Sequence, residues 1–213
     1  MAKYIPGVLG LISGKVGSLV YRNHRGIGYV QSSPRKRKKR DVSLKVEIQR
    51  AKFKLAAGFV KTIASLVAIS FSDSRIKTTS RNSALSNVLQ QAITGDYPDL
   101  RIEYSKVLMA NGTLPLTVNP TATSTAPGVI NFSWKDNTGW GKAKATDQPI
   151  LIAFCEGLNA CSFIVSDALR SAQMASLSAK LFSGQEVHTW ISFLSENGKD
   201  VAISSYTGTV TVA

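Results

Sequence analysis

The residues of this sequence best suited to surface chemistry are cationic. Six of them are consecutive, namely Arg35, Lys36, Arg37, Lys38, Lys39 and Arg40. Adjacent positive charges cannot enter a folded core, so this run must contact water or a polyanion. Because Lys and Arg neutralise phosphates and release counterions, the run predicts non-specific, salt-sensitive contact with DNA or RNA.

Further cationic and aromatic side chains precede the run. Arg22 and Arg25 lie in the sequence among Tyr21, His24 and Tyr29, a mixture able to stack on bases or to hold a phosphate backbone. We find no helix-turn-helix, zinc-finger or RNA-recognition signature in the sequence. The sequence therefore predicts contact with the nucleic-acid backbone rather than reading of a base sequence.

The charge of the chain is divided between its two parts. Residues 1–82 contain 18 Lys and Arg and 3 acids, a net charge of +15, whereas residues 83–213 contain 8 bases and 10 acids, a net charge of −2. This division predicts a polyanionic partner at the N-terminal part only. A solvated charge run, a membrane surface and an acidic protein surface are the alternatives.

The sequence offers no catalytic or metal-binding constellation. A nucleophile–base pair would need Cys155 or Cys161 beside His24 or His188, but small thiols near strand ends are more often buried filler. Metal-ligand spacings and a complete phosphate-binding loop are also missing. We predict a non-enzyme without metal, cofactor or small-molecule substrate. The two cysteines predict reduced thiols, and the spacing in CEGLNAC leaves a hairpin disulfide as an alternative.

The elements that must position the cations follow from periodicity. Residues 15–31 predict a glycine-rich β-hairpin that lies against something else. Residues 43–70 predict one long helix, apolar on two faces, with a narrow cationic stripe formed by Arg50, Lys54 and Lys61. A helix that is apolar on two faces is central to its fold or shared between subunits, so self-association is an alternative.

The rest of the chain predicts a shorter helix over residues 83–94, capped by Asn82, and a strand from about residue 100. A Thr- and Pro-rich stretch then marks a domain boundary, which gives domains 1–112 and 113–213. About seven short alternating segments after it predict a β-sandwich. The predicted fold class is α+β: an N-terminal β-hairpin, a basic segment and two helices, followed by an all-β sandwich.

Two resemblances add to this interpretation. Trp134 in NFSW, together with LFSGQEVHTWISF and SSYTG, resembles the fibronectin type III and immunoglobulin-like sandwiches, although Val187 and His188 stand where the corner tyrosine is expected. The whole chain resembles an uncharacterised family of basic proteins of Bacteroidota-type bacteria, through SGKVGSLVYRNHRGIGYVQSSPRK, AITGDYPDLRIEYSKVL and FSWKDNTG. The first resemblance implies an interaction module, and the second implies no known activity.

These observations predict a nucleic-acid-associated protein whose cationic region includes Arg22, Arg25, the six-residue run and the stripe Arg50, Lys54 and Lys61. The alternative is a structural subunit of a phage particle or another assembly, in which neighbouring copies complete the hairpin and the helix. We find no secretory signal and no membrane-spanning run, which predicts a cytoplasmic location, with a virion as the alternative and no membrane partner.

Overall fold

The computed structural model of the protein describes residues 2–4, 10, 12–24, 26–34, 42–71 and 79–213. Within these residues the chain forms two compact units, residues 1–42 and residues 43–213. Arg25 and the run from Arg35 to Arg40, both predicted to contact nucleic acid, lie outside the described residues.

The first unit contains a four-stranded antiparallel sheet. Its strands are β1 (Ala2–Tyr4), β2 (Gly14–Val16), β3 (Leu19–His24) and β4 (Ile27–Ser32), in the order β1-β4-β3-β2. The hairpin predicted over residues 15–31 corresponds to β3 and β4, and β2 and β1 extend it at its two edges. Gly28 is buried, and a side chain there would overlap the ring of Tyr4, which lies across β4. The glycine thus allows the two strands to approach.

The second unit begins with three helices: α1 (Leu44–Thr62), α2 (Ala64–Ser70) and α3 (Ser80–Asn87). The prediction of one helix over residues 43–70 is wrong at Ile63, which leaves the helical conformation, so α1 and α2 meet at a bend of 77°. The bend places Leu66 and Val67 in the same core as Phe59 and Val60. Tertiary packing therefore overrides a continuous helical pattern.

The segment between α3 and the sandwich is less regular than predicted. Helix α3 is capped by Thr79, whose hydroxyl accepts a hydrogen bond from the Asn82 amide at 3.2 Å, so the cap lies three residues before the predicted Asn82. A π-helical turn follows α3, and β5 (Ile93–Thr94) then pairs with β6 (Arg101–Ile102). The strand predicted from residue 100 is only two residues long, because a 3₁₀ turn begins at Tyr104.

Seven strands form the predicted β-sandwich, which the structure confirms. They are β7 (Val118–Ala126), β8 (Val129–Lys135), β9 (Gln148–Cys155), β10 (Ala160–Val165), β11 (Met174–Ser178), β12 (Glu186–Leu194) and β13 (Ser205–Thr211). One sheet has the order β10-β9-β12-β13 and the other β11-β8-β7. The Thr-rich stretch interpreted as a boundary is β7 itself. Alternating threonines suit a strand with one solvated face.

The two central strands of the larger sheet, β9 and β12, are buried on both faces. On β9, Leu151, Ala153 and Cys155 pack against the three-stranded sheet, while Ile150 and Phe154 pack against the helices. This explains why PILIAFC is continuously apolar rather than alternating. The helices thus form a third layer, and compactness divides the chain at Val42 rather than near residue 113. The coarse prediction of an α+β protein is confirmed.

Candidate functional site

One face of the sheet in the first unit carries its described cationic residues together with one tyrosine. Tyr29 on β4 is paired with Arg22 on β3 and with Lys3 on β1, so the three side chains form a row across the sheet. Directly paired residues project to the same side, with Cβ atoms about 4.5–5.5 Å apart. A half-buried tyrosine therefore lies between two exposed cations.

Further residues share this face, since side chains alternate along a strand. His24 lies two residues from Arg22, and Lys15 pairs with Val20 on the same side. Tyr21 points to the opposite face, where its ring packs edge-on against Tyr4 with centroids 5.9 Å apart. Of the predicted mixture, Arg22, His24 and Tyr29 are brought together and Tyr21 is not. We call Lys3, Lys15, Arg22, His24 and Tyr29 the cationic sheet face.

Three predicted cations lie on α1 in the second unit. Arg50, Lys54 and Lys61 are all exposed, and steps of four and seven residues keep them on one side of the helix. None of the three forms an ion pair with a described residue. Among the described residues, no acidic group therefore lies within ion-pairing distance of the stripe.

Sequence reasoning missed two residues of the cationic sheet face and two residues of α1. Lys3 and Lys15 belong to strands too short and glycine-rich to give an alternating pattern. Lys45 lies five residues before Arg50 and about 140° from it around α1, and its signal was simply its charge on a predicted helix. Phe53 was assigned to an apolar face, yet it is 54% exposed. Only the position of α1 in the fold shows that this face is uncovered at Phe53.

A cleft of about 510 Å³ opens beside Lys54 within the second unit. It is lined by Leu55 and Phe59 of α1 and also by Tyr104 and Glu156. Burial, and then the negative charge of Glu156, raises the pKa of the Tyr104 hydroxyl. Tyr104 is therefore a neutral hydrogen-bonding group rather than a base at physiological pH.

An aromatic cluster continues from Tyr104 into the sheet. The His188 ring stacks on Tyr104 with centroids 4.2 Å apart, and its Nδ1 lies 2.9 Å from the Tyr206 hydroxyl oxygen. Burial lowers the pKa of His188, so this ring is neutral at pH 7. Its three aromatic neighbours, which are Tyr104, Trp190 and Tyr206, hold it as a packed side chain.

The cysteines do not provide a nucleophile to this cluster. Cys161 on β10 is paired with Phe154 on β9, which is paired with His188 on β12, so two strand spacings, about 10 Å, separate Cys161 from the imidazole. Burial also raises the pKa of the Cys161 thiol to about 12. Within the described residues, no group of His, Cys, Asp and Glu has the arrangement of a metal site.

The hairpin disulfide left open by the sequence is not formed. Cys155 is paired with Ala160 rather than with Cys161, so the two cysteines project from opposite faces of the sheet. Cys155 lies in the core between the sheets and Cys161 borders the helix layer. Both are free thiols.

No single helix in the described residues has the length and composition of a membrane span; α1 and α2 meet that requirement only when the bent pair is taken together.

Comparison with known proteins places the chain in a family. Residues 11–208 match a family of unknown function, DUF6266. The chain belongs to this family. The predicted resemblance to an uncharacterised family is thereby confirmed, and the match extends over both compact units. No curated protein matches the chain. Among solved structures, the fibronectin type III domain of human collagen alpha-1(XX) chain is similar, with 14% identity and a TM-score of 0.36, covering 49% of this chain and 90% of that one.

Proposed function

We propose that this protein is a non-enzymatic nucleic-acid-associated protein. The observation that supports this best is the row Lys3–Tyr29–Arg22, in which two cations flank an aromatic ring on one sheet face. Cations attract the phosphates and an aromatic ring accepts a base, so this combination suits DNA or RNA bound without sequence preference. The exposed cations of α1 offer a separate surface of the same sign.

The basic run from Arg35 to Arg40 is included in the proposed nucleic-acid contact only because of its charge. It follows β4 in the sequence and would add six phosphate contacts at most. The β-sandwich, in this proposal, is a fibronectin type III-like interaction domain that presents a surface to other proteins. The proposal includes a cytoplasmic location and a bacterial source of the Bacteroidota type.

The proposal is tested by the salt dependence of binding. Each phosphate contact steepens the fall of log K with log salt concentration by about 0.7 for single strands and about 0.9 for duplexes. We expect the triple variant Lys3→Gln, Lys15→Gln, Arg22→Gln to flatten this slope by about 2 for single strands and by about 3 for duplexes. Fluorescence anisotropy of mixed-sequence oligonucleotides, between about 50 and 200 mM salt, measures the slope.

The matched control removes the same charge elsewhere. Lys135, Lys142 and Lys199 are exposed in the second unit, and none belongs to a predicted contact. Their triple change to Gln should leave the slope close to that of the unmodified protein. Equal slopes for the two triple variants, or no binding at low salt by the unmodified protein, would refute the proposal.

A second candidate function is that of a structural subunit in a phage particle or another assembly. The sheet of the first unit favours it, because Val16, Leu19 and Ile27 are 64%, 40% and 43% exposed. None of the apolar side chains described in residues 2–34 is buried. A sheet with so little core of its own is often completed by neighbouring copies. Light scattering without nucleic acid would then detect discrete large particles.

A further inference from the structure

The N-terminal half of α1 carries an exposed apolar patch with cations on both sides. We call it the Phe53 patch, and it is lined by Lys45, Val46, Gln49, Arg50, Phe53 and Lys54. Phe53 is 54% exposed and Val46 is 43% exposed, and the first fully buried side chain of the helix is Ala56. The patch therefore lies on a part of α1 that the described core leaves uncovered.

The arrangement around the ring follows from helix geometry. Val46 and Phe53 are seven residues apart and lie almost one above the other. Arg50 is about 60° to one side of Phe53 and Lys45 about 80° to the other side. The ring thus has a cation at each flank, and Lys54 extends the charge beyond Arg50.

The flanking charges discriminate between occupants of the patch. A second copy of α1 would bring Lys45, Arg50 and Lys54 of each copy together, against a single acid per helix, Glu47, which lies about 20° from Lys54 around α1. Desolvating Lys45 and Arg50 without an opposite charge is unfavourable. A nucleic-acid strand satisfies both components, since a base covers the ring and its phosphates meet the cations.

We propose that Phe53 is a stacking platform for an unpaired base, so that the nucleic acid held at α1 is single-stranded. This inference rests on the proposed function and narrows it. In a duplex the base faces are covered by their neighbours, and a ring reaches them only if the stack is opened. The phosphates remain accessible in both forms. Phe53 therefore distinguishes single strands from duplexes, while Arg50 and Lys54 do not.

The experiment compares three variants on a single-stranded oligonucleotide and on a hairpin duplex of the same length. Phe53→Leu keeps an apolar side chain and removes the ring. The double variant Arg50→Gln, Lys54→Gln removes charge, and Leu181→Ala is the matched control, since Leu181 is an exposed apolar residue on the sandwich. Melting followed by circular dichroism verifies that each variant is folded. A 2-aminopurine in the single strand reports stacking through quenching of its fluorescence.

We expect Phe53→Leu to weaken single-strand binding ~10-fold, to relieve the quenching and to change duplex binding less than ~2-fold. The variant Arg50→Gln, Lys54→Gln should weaken the binding of both ligands, and Leu181→Ala should change the binding of neither. Equal effects of Phe53→Leu on both ligands, or none on the single strand, would refute the stacking role while leaving the proposed function intact. If the unmodified protein bound neither ligand at low salt, the proposed function itself would fail. A dimer lost on Phe53→Leu, with unchanged single-strand binding, would assign the patch to self-association and overturn the inference.

Discussion

Arg170 and Asp147 form an ion pair that is withdrawn from solvent, with the Arg170 Nε donating to the Asp147 Oδ2 over 3.1 Å. The Nη1 of Arg170 donates to the side-chain oxygen of Asn137 at 2.6 Å, and the guanidinium carbon lies 3.8 Å from the centroid of the Phe193 ring. Burial lowers the pKa of Arg170, and the Asp147 carboxylate opposes this effect. The sandwich therefore contains a buried charge that needs its partner.

We expect Asp147→Ala to lower the free energy of unfolding by about 3–5 kcal/mol, because it leaves the Arg170 charge buried without a counterion. The double variant Asp147→Leu, Arg170→Met should be less destabilised than Asp147→Ala, since it removes both charges and keeps apolar volume. Urea unfolding of the three proteins measures the difference. A loss below about 1 kcal/mol for Asp147→Ala would show that solvent reaches the pair.

The helix layer that covers the larger sheet leads to a prediction about the stability of two fragments of the protein. A fragment of residues 113–213 would expose the helix-facing side of the larger sheet, including Ile150, Phe154 and Trp190, whereas residues 43–213 keep it covered. We expect the longer fragment to unfold cooperatively and to be monomeric, and the shorter one to aggregate or to melt at lower temperature. Calorimetry and light scattering measure both properties. Equal stability of the two fragments would support the predicted domain boundary instead.

The half-buried His188 predicts a pH dependence of stability. Its pKa is below the ordinary value of 6.5, so the unfolded chain binds this proton more readily than the folded chain does. His188 therefore makes its full contribution to the free energy of unfolding above pH 6.5. This contribution declines as the pH falls from 6.5 toward the lowered pKa of the folded state. We expect His188→Phe to show a smaller loss of melting temperature between about pH 8 and pH 5.5 than the unmodified protein. Identical losses would mean that His188 does not titrate differently on folding.

Alanine substitutions at two glycines should change the free energy of unfolding in opposite directions. A side chain at Gly112 would overlap the backbone carbonyl of Val201, whereas Gly58 lies in α1 with nothing within 4 Å of an added Cβ. We expect Gly58→Ala to raise the free energy of unfolding by about 0.5–1 kcal/mol through helix propensity. Gly112→Ala should lower it, because backbone atoms must shift. Denaturant unfolding of both variants tests this, and a stabilised Gly112→Ala would contradict the close approach.

Part of this protein could be predicted from local sequence. Six of the seven strands of the sandwich follow from short apolar segments between turns, and β12 was predicted over its full range, Glu186–Leu194. The stripe of Arg50, Lys54 and Lys61 follows from helical spacing alone. Family membership also followed from local motifs, and the match over residues 11–208 confirms it. Each of these depends on neighbours in the chain, which a sequence displays directly.

The other features of the fold and of the candidate site were decided by the tertiary structure, because they depend on which surfaces of the chain pack together. The bend at Ile63 appears only when α1 and α2 must share one core, and the burial of β9 on both faces requires the helix layer that covers it. In the row Lys3–Tyr29–Arg22, the pair Arg22 and Tyr29 belongs to one hairpin, whereas Lys3 becomes their neighbour only through the pairing of β1 with β4. The exposure of Phe53 has the same origin, since an apolar pattern predicts that a face will be covered, and only the packed fold shows where the cover ends.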